Sequence, residues 1–397
     1  MMQFAHQLIQ KQAVRRHSDA ETRIETGPQR IGFIHTGWLG DHFLFSPVIR
    51  AVRAVFPKAH LTLFTTRRYE TVQAVLTGLD EVVFIDAPRR QTALSLWRLL
   101  TSARLDALLV NYEFELPAKA LSLAMAFSGI PHRIGCSRNW LRRLALNAPL
   151  QNRLDEQNVY LCDVFYELAQ TLFARMGATP PADGVKAFRH APQACIPTFV
   201  RSPQAGYSPR LLIHPGTSAG SKTQNWPKSW PPEHWAEFIR QFLKRYPRGS
   251  VCLTGGPDDR EEVARIEQAL TAYPDVARER FINLFGQVTS VADLAALMQT
   301  CDVFAGCDSF AMHLALYAGL PMVAIFGMTS EKRFLPHPSD SPVPFRIAAR
   351  DELTCRPCLC ITREEACERP ICLQTPVSTV LGHIEALVQD AQQAVSA

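Results

Sequence analysis

The feature that most restricts the fold of this chain is a strict alternation. Ile31-Gly-Phe-Ile34 is a short apolar run, and a helix-like stretch, 47–56, follows it. Runs 61–64, 82–85 and 107–110 repeat the pattern, with helical stretches near 69–77 and 92–103 between them. Short runs that are apolar throughout, separated by amphipathic segments, read as strands covered on both faces. That is a parallel sheet with helices on each side. A Pro-rich irregular segment around 180–208 interrupts the alternation. It then restarts with runs 211–214, 250–254, 281–284, 302–305 and 322–326, and helices are expected over 233–245, 258–270 and 291–299.

The chain has 397 residues, more than one compact core usually holds. The expected fold class is therefore α/β, with two doubly wound Rossmann-like domains. The reading is an N-terminal extension over 1–29, a first domain over 30–195 and a second over 196–375. A last helical segment, 376–397, is expected to pack back on the first domain. Open parallel sheets bind ligands where their strands end, so two such sheets turn their functional loops into one cleft.

The chain is 47% hydrophobic and 20% charged, ordinary for a globular protein. No stretch is expected to span a membrane, which needs roughly 20 apolar residues. The opening MMQFAHQLIQKQAVRRHS is too polar for a secretory leader, so a cytoplasmic location is expected. Eleven cysteines are then not expected to form a disulfide framework. The net charge of +5 is uneven: residues 1–190 carry 23 Lys and Arg against 16 Asp and Glu, the remainder 19 against 21. The first half suits an anionic partner, or simply presents a solvated basic surface; nucleic acid is not expected.

Four loops follow expected strands and open helices. In His35-Thr-Gly-Trp-Leu-Gly-Asp41, Gly37 and Gly40 allow a tight turn and close backbone approach. Asp41 is either a helix cap or a carboxylate placed to accept a proton. In His214-Pro-Gly-Thr-Ser218, Thr217 and Ser218 offer donors of the kind that cradle phosphate, and Lys228 adds a positive charge before a Trp-Pro helix start. In Thr254-Gly-Gly-Pro-Asp-Asp259, Asp258 or Asp259 is placed to bind ribose hydroxyls or to cap a helix. In Gly306-Cys-Asp-Ser-Phe-Ala-Met-His313, Asp308 and Ser309 lead a helix whose unpaired N–H groups favour an anion. His313 follows Ser309 by one turn and shares its side.

Taken in order, G-x-x-G-D, H-P-G-T, K-x-W-P, T-G-G-P-x-D, D-S-x-x-M-H-L-A and G-x-P-x-V-A-x-F-G resemble glycosyltransferase family 9, over roughly residues 30–390. That family comprises the ADP-heptose:lipopolysaccharide heptosyltransferases. The resemblance implies a GT-B fold, with the nucleotide sugar on the second domain and the acceptor on the first. It implies inverting transfer of heptose from an ADP-sugar to a lipopolysaccharide-core acceptor, at the inner face of the inner membrane, with no metal needed for transfer. Asp41 falls on the family's catalytic base. Thr217, Ser218, Lys228, Asp259 (or Asp258), Asp308, Ser309 and His313 fall on the donor site. Gly40, Arg133 and Arg138 are assigned to the anionic acceptor, Arg142 and Arg143 with them. Two departures stand out. Phe310 occupies a glycine position of the diphosphate motif, so either the loop shifts or the donor site is altered. His35 stands where an arginine is common. Alternatives on the same fold are a protein heptosyltransferase, a nucleotide-sugar epimerase and a non-catalytic binding protein.

Cys355, Cys358, Cys360, Cys367 and Cys372 crowd one segment. A C-x2-C pair followed by two further cysteines is metal-ligand spacing, so Cys355, Cys358, Cys367 and Cys372 are candidate ligands for a structural Zn or Fe. The other reading is a set of reduced thiols.

Overall fold

The computed structural model describes residues 28–396 apart from 112–114, 137–139, 152, 154–155, 157, 190–205, 218–227 and 359–369, and without the side chains of 140–142 and 394–396. The first domain carries strands β1 (Arg30–Ile34), β2 (His60–Thr66), β3 (Glu81–Ile85), β4 (Ala107–Val110), β5 (His132–Cys136) and β6 (Ala148–Leu150). Its helices are α1 (Leu39–Val55), α2 (Ala93–Ser102), α3 (Ala118–Phe127), α4 (Trp140–Ala145) and α5 (Leu161–Arg175). The second domain carries β7 (Arg210–His214), β8 (Ser250–Leu253), β9 (Phe281–Asn283), β10 (Val303–Cys307), β11 (Met322–Ile325) and β12 (Phe345–Ala348). Its helices are α6 (Pro232–Arg245), α7 (Arg260–Leu270), α8 (Val291–Met298), α9 (Phe310–Ala318), α10 (Glu331–Phe334) and α11 (Val377–Ser396).

Both sheets are parallel and share one topology. The first runs β3-β2-β1-β4-β5-β6 and the second β12-β11-β10-β7-β8-β9. Renumbered within its own domain, the second has the same Rossmann order as the first. In this order the winding reverses between the first and fourth strands, which opens a crevice at their C-terminal ends. In the first domain that crevice lies between β1 and β4, paired in the register Ile34↔Val110. In the second it lies between β7 and β10, paired as His214↔Gly306.

Each sheet buries two apolar faces. On the first, α1 and α5 pack Phe45, Val48 and Val52 with Phe165, Leu168 and Leu172. On its other face α2 and α3 contribute Leu96, Leu100, Leu121 and Met125. In the second domain one core, made by α8 and α9, crosses the domain boundary. It takes in Phe43, Tyr69, Val72 and Val75 of the first domain. Phe43 meets Tyr317 with ring centroids 5.3 Å apart, and the Tyr317 hydroxyl donates to Val75 O at 2.7 Å. Phe43 of α1 and Tyr317 near the end of α9 thereby hold the two helices against each other. Polar ties reinforce the junction: Arg189 donates to Asp340 O at 3.4 Å, and Lys186 Nζ reaches the Asp340 carboxylate at 2.7 Å.

Three features depart from the sequence reading. Helix α1 starts at Leu39, eight residues before Pro47, which sits inside it. Proline cannot donate to the carbonyl one turn back. Ser46 Oγ takes that role, donating to Phe43 O at 3.0 Å. Second, α11 packs on its own domain. Val380, Ile384, Leu387 and Val388 join Trp235, Phe238 and Phe242 of α6, and Arg245 pairs with Glu385 at 2.6 Å. Third, Ile371–Gln393 is long and apolar enough by composition to span a membrane, with a mean hydropathy of 1.3. Its apolar face is the one that α6 and the sheet cover, so the composition follows from core packing.

Candidate functional site

The loop after β1 and the loop after β10 meet across the domain boundary. Asp41 lies in the first turn of α1. Its Oδ2 accepts the Trp38 N–H at 3.0 Å, while the Asp41 N–H donates to Trp38 O at 2.9 Å. Asp41 is therefore a helix cap, but through one oxygen; no hydrogen bond among the described residues engages Oδ1. Burial pushes its carboxyl up to about 7. The Trp38 bond and the charges of Arg333 and Lys228 pull the other way, and Asp308 adds to the rise. Arg333, Lys228 and Asp308 all belong to the second domain, so the proton affinity of Asp41 is set by both halves.

Asp308 faces the same cleft at the end of β10. Burial would raise it too, yet it is held below the usual carboxylate range because Lys228 Nζ donates to Oδ2 at 2.8 Å and Thr329 Oγ1 at 2.7 Å. A carboxylate so engaged repels a phosphate. The role this geometry gives Asp308 is to aim Lys228, not to touch an anion. Lys228 Nζ also lies 5.6 Å from the centroid of the Phe334 ring.

His313, one turn into α9, is buried and depressed to about 4 by burial, so it is neutral at pH 7. It packs on Gly40: a Cβ added there would lie 2.8 Å from His313 Cδ2 and 3.5 Å from the Phe310 Cα. Only glycine lets α1 approach α9 this closely. Gly40 thus serves the contact between domains, and the sequence had assigned it to the acceptor. Ser309 caps α9 in extended backbone, and its Oγ is buried without a hydrogen-bond partner. That hydroxyl and the open N–H groups of the first turn form an anion-ready end. The Phe310 ring meets His214 edge-on at 5.5 Å.

The loops after β7 and β8 form the floor. Thr217 Oγ1 lies 3.2 Å from Ser229 Oγ, which donates to Glu262 Oε2 at 3.2 Å. Asp259 is buried, accepts the Gly256 N–H at 2.8 Å and lies 3.6 Å from His214 Nε2. Its carboxylate occupies space that a side chain on residue 216 would need: a Cβ on Gly216 would fall 2.0 Å from Oδ2. Asp259 therefore shapes the Gly216–Thr217 turn from beneath, while Asp258 is exposed.

On the first-domain wall, His42 Nδ1 donates to Trp38 O at 3.0 Å, Nε2 accepts from the Thr65 hydroxyl at 3.1 Å, and burial depresses the ring to about 4. His35 stacks on Phe45 at 5.0 Å, contacts Asn111 Nδ2 at 2.9 Å, and is held well below its ordinary value by burial and by His42. This wall is neutral at pH 7. Trp38 is exposed at its rim, with the Arg68 guanidinium 5.1 Å from the ring centroid.

Other assigned residues fall elsewhere. Arg133 is the second residue of β5, paired with Leu108 near the start of β4, so it lies at the opposite edge of the sheet from the cleft. Its guanidinium donates to Ala145 O at 2.7 Å and Ile130 O at 2.5 Å, which makes it a brace for the β5–β6 connection. Ser218, Arg138, Cys360 and Cys367 lie outside the described residues, as does the side chain of Arg142. Cys355 is exposed, Cys358 half-buried and Cys372 buried, and no three His, Cys, Asp or Glu among the described residues are grouped to hold a metal. The sequence reading missed Thr329 and Arg333. Both follow β11, and the rule that selected the other loops, a polar segment after a buried strand, would have selected this one.

Two Rossmann-type domains joined by a cleft that their strand ends line define the GT-B architecture. The description of glycosyltransferase family 9 (heptosyltransferase) matches residues 123–363, and the chain belongs to that family. It is 29% identical over 142 residues to lipooligosaccharide heptosyltransferase 2 of Haemophilus influenzae, a match that spans 36% of this chain and 38% of that protein. Among solved structures it is similar to the E. coli ADP-heptose lps heptosyltransferase II, with 20% identity, 91% of this chain and 99% of that one covered, and a TM-score of 0.64. It is also similar to a family 9 glycosyl transferase from Veillonella parvula, with 17% identity, 91% and 97% covered, and a TM-score of 0.65.

Proposed function

We propose that the chain transfers a heptose from an ADP-sugar to a hydroxyl of a lipopolysaccharide-core acceptor, with inversion at the anomeric carbon. The observation that carries the chemistry is Asp41. A carboxyl poised near pH 7, with one oxygen engaged by the Trp38 N–H, suits a general base at neutral pH. In this reading the acceptor oxygen attacks the anomeric carbon, its proton passes to Asp41, and the bond from that carbon to the diphosphate oxygen breaks. The departing diphosphate gains charge. Ser309 Oγ, the first N–H groups of α9, and Lys228 face that position from the second domain. Family membership and the heptosyltransferase activity named for its relatives support this reading. The acceptor enters past Trp38, which lies over the buried neutral pair His35 and His42, with Arg68 at the rim to meet its anionic groups. The work takes place in the cytoplasm, where such a donor is available.

The test is Asp41→Asn assayed with ADP-heptose and a core acceptor. Loss of the base is expected to lower transfer by about 10² to 10⁴, with ADP still raising the melting temperature as in the wild type. The wild-type kcat/KM is expected to rise with pH through an inflexion near 7. Transfer by Asp41→Asn at the wild-type rate would leave Asp41 a helix cap and nothing more.

A further inference from the structure

The outer face of the first domain, turned away from the second, combines two properties that rarely coincide. Leu94 and Trp97 of α2 are 54% and 37% exposed, and Leu123 and Phe127 of α3 are 50% and 73% exposed. With Ala93 and Ala124 they line one groove of about 270 Å³ between the two helices. These are four large apolar side chains in one patch, where a solvated helix face would carry polar groups. The Trp97 indole N–H is already spent, donating to Phe127 O at 2.9 Å, so the ring offers carbon to its surroundings.

The second property is charge. From residue 87 to residue 150 the chain has nine Lys and Arg and three acids, Asp106, Glu113 and Glu115. Of these acids Asp106 is buried, where it accepts the N–H groups of Gln29 and Arg30. Helices α2, α3 and α4 contain no acid at all. Arg89, Arg90 and Arg98 are exposed on and before α2, and Lys119 is exposed in the first turn of α3. A protein partner of mixed charge would be expected to meet some acidic complement on such a face. A second copy of this chain would set these cations against themselves. An apolar groove ringed by cations of one sign is complementary to a bilayer that bears anionic headgroups: the side chains enter the acyl boundary while the cations meet phosphate.

We propose that the α2–α3 face docks the protein on an anionic phospholipid bilayer. The inference extends the reading of a lipid-linked acceptor but does not use the donor or acceptor chemistry. Arg89 and Arg90 lie in the connection from β3 to α2, on the sheet edge where the strands end. That edge also carries Asp41, so a bilayer against this face lies beside the cleft.

The test is sedimentation of the full-length protein with vesicles, with no donor or acceptor present. Vesicles of phosphatidylethanolamine and phosphatidylglycerol are expected to bind it, and vesicles of phosphatidylcholine alone much less, with binding falling as salt rises. Combining Arg89→Ala, Arg90→Ala and Arg98→Ala is expected to weaken binding about a hundredfold, at about fivefold per cation. Leu94→Ser with Phe127→Ser is expected to weaken it at least as much. Melting temperatures within a few degrees of the wild type, and unchanged elution in gel filtration, show that the variants fold and that no dimer was lost. Absence of binding, equal binding to both vesicle types, or binding by both variants at the wild-type level would overturn the proposal. So would a wild-type dimer that the apolar variant splits, since a second copy would then cover the groove. None of these outcomes bears on transfer, which the Asp41 experiment reads.

Discussion

Two aspartates face each other across the cleft, each next to the N-terminal turn of a helix, and the structure drives them in opposite directions. Asp308 is the more deeply buried, yet it stays ionised because Lys228 and Thr329 donate to it. Asp41 takes its one side-chain hydrogen bond among the described residues from the Trp38 N–H, and the cations that restrain it, Arg333 and Lys228, act from across the boundary through their charge. Burial is common to both; a bonded cation is not. The difference shows how one cleft holds a permanent anion and a titrating acid within the same charge field, which is the separation that acid–base chemistry needs.

Removing the cation should break this contrast most severely. In Lys228→Ala, Asp308 loses its partner while still buried. The expected cost is about 2 to 3 kcal/mol, below the range for fully buried pairs because Lys228 is partly exposed. Asp308 should then hold its proton, so the loss should be smaller at pH 5 than at pH 8. Asp41 loses one of the charges that restrain it, and the inflexion in kcat/KM should move above 7. The thermal response to ADP should weaken as well. Melting curves with and without ADP at the two pH values check the stability and the ADP response, and a pH profile of kcat/KM checks the inflexion; a variant as stable as the wild type at pH 8 would show that the pair contributes nothing.

The spacing of the two walls offers a gentler perturbation. Gly40→Ala places a methyl 2.8 Å from His313 Cδ2, and the neighbouring contact is the Phe310 backbone, which cannot swing aside. The helices must part by a few tenths of an ångström. The expected cost is about 1 to 2 kcal/mol in stability. A larger fractional loss is expected in transfer than in ADP binding, because Asp41 and the diphosphate site separate. Equal losses in both would place the strain in the second domain alone.

Much of this arrangement is legible in the sequence, for a definite reason. Strand, loop and helix recur in a fixed order, and parallel sheets put every such loop on one edge, so Asp41, Thr217, Lys228 and Asp308 could be placed in one cleft without coordinates. Where the pattern weakens, so does the reading. Pro47 looks like a first helical residue, and the Ser46 hydroxyl that lets the helix run through it leaves no periodic signal. Strands β5, β6 and β12 are interrupted by His132 and Arg133, by Pro149 and by Arg346, so they lack the apolar run that marked the others. Apolar periodicity shows that α11 is amphipathic but not which domain it covers. Contacts across the boundary, Gly40 on His313 and the charge of Arg333 on Asp41, depend on how two domains meet, which no local pattern encodes. Arg133 looked available because arginines on a basic half do; its use as a brace depends on the sheet edge where it falls.

One effect has the opposite sign to the rest and bears most directly on Asp41. A carboxyl whose folded value is about 7, against an ordinary value of 3.8, binds its proton more tightly folded than unfolded. Well below pH 3.8 both states are protonated and the group contributes nothing. As the pH rises from 4 to 7 the unfolded chain gives up the proton and the folded chain keeps it, so the folded state loses ground; above 7 the penalty is constant. Asn at this position keeps an oxygen for the Trp38 N–H and has no proton to hold. Asp41→Asn should therefore be more stable than the wild type by about 1 to 2 kcal/mol at pH 8, a figure reduced from the full linkage value because the side chain is partly exposed. At pH 5 the gain should fall to less than half of that. His42 and His313, both depressed to about 4, impose the reverse trend on the whole protein, with stability lost as the pH falls from 6.5 towards 4. The comparison must therefore be made between variant and wild type at each pH, where the histidine contribution cancels. A gain that is the same at pH 5 and pH 8 would mean that Asp41 is ionised throughout, like Asp308, and that the contrast between the two aspartates is false.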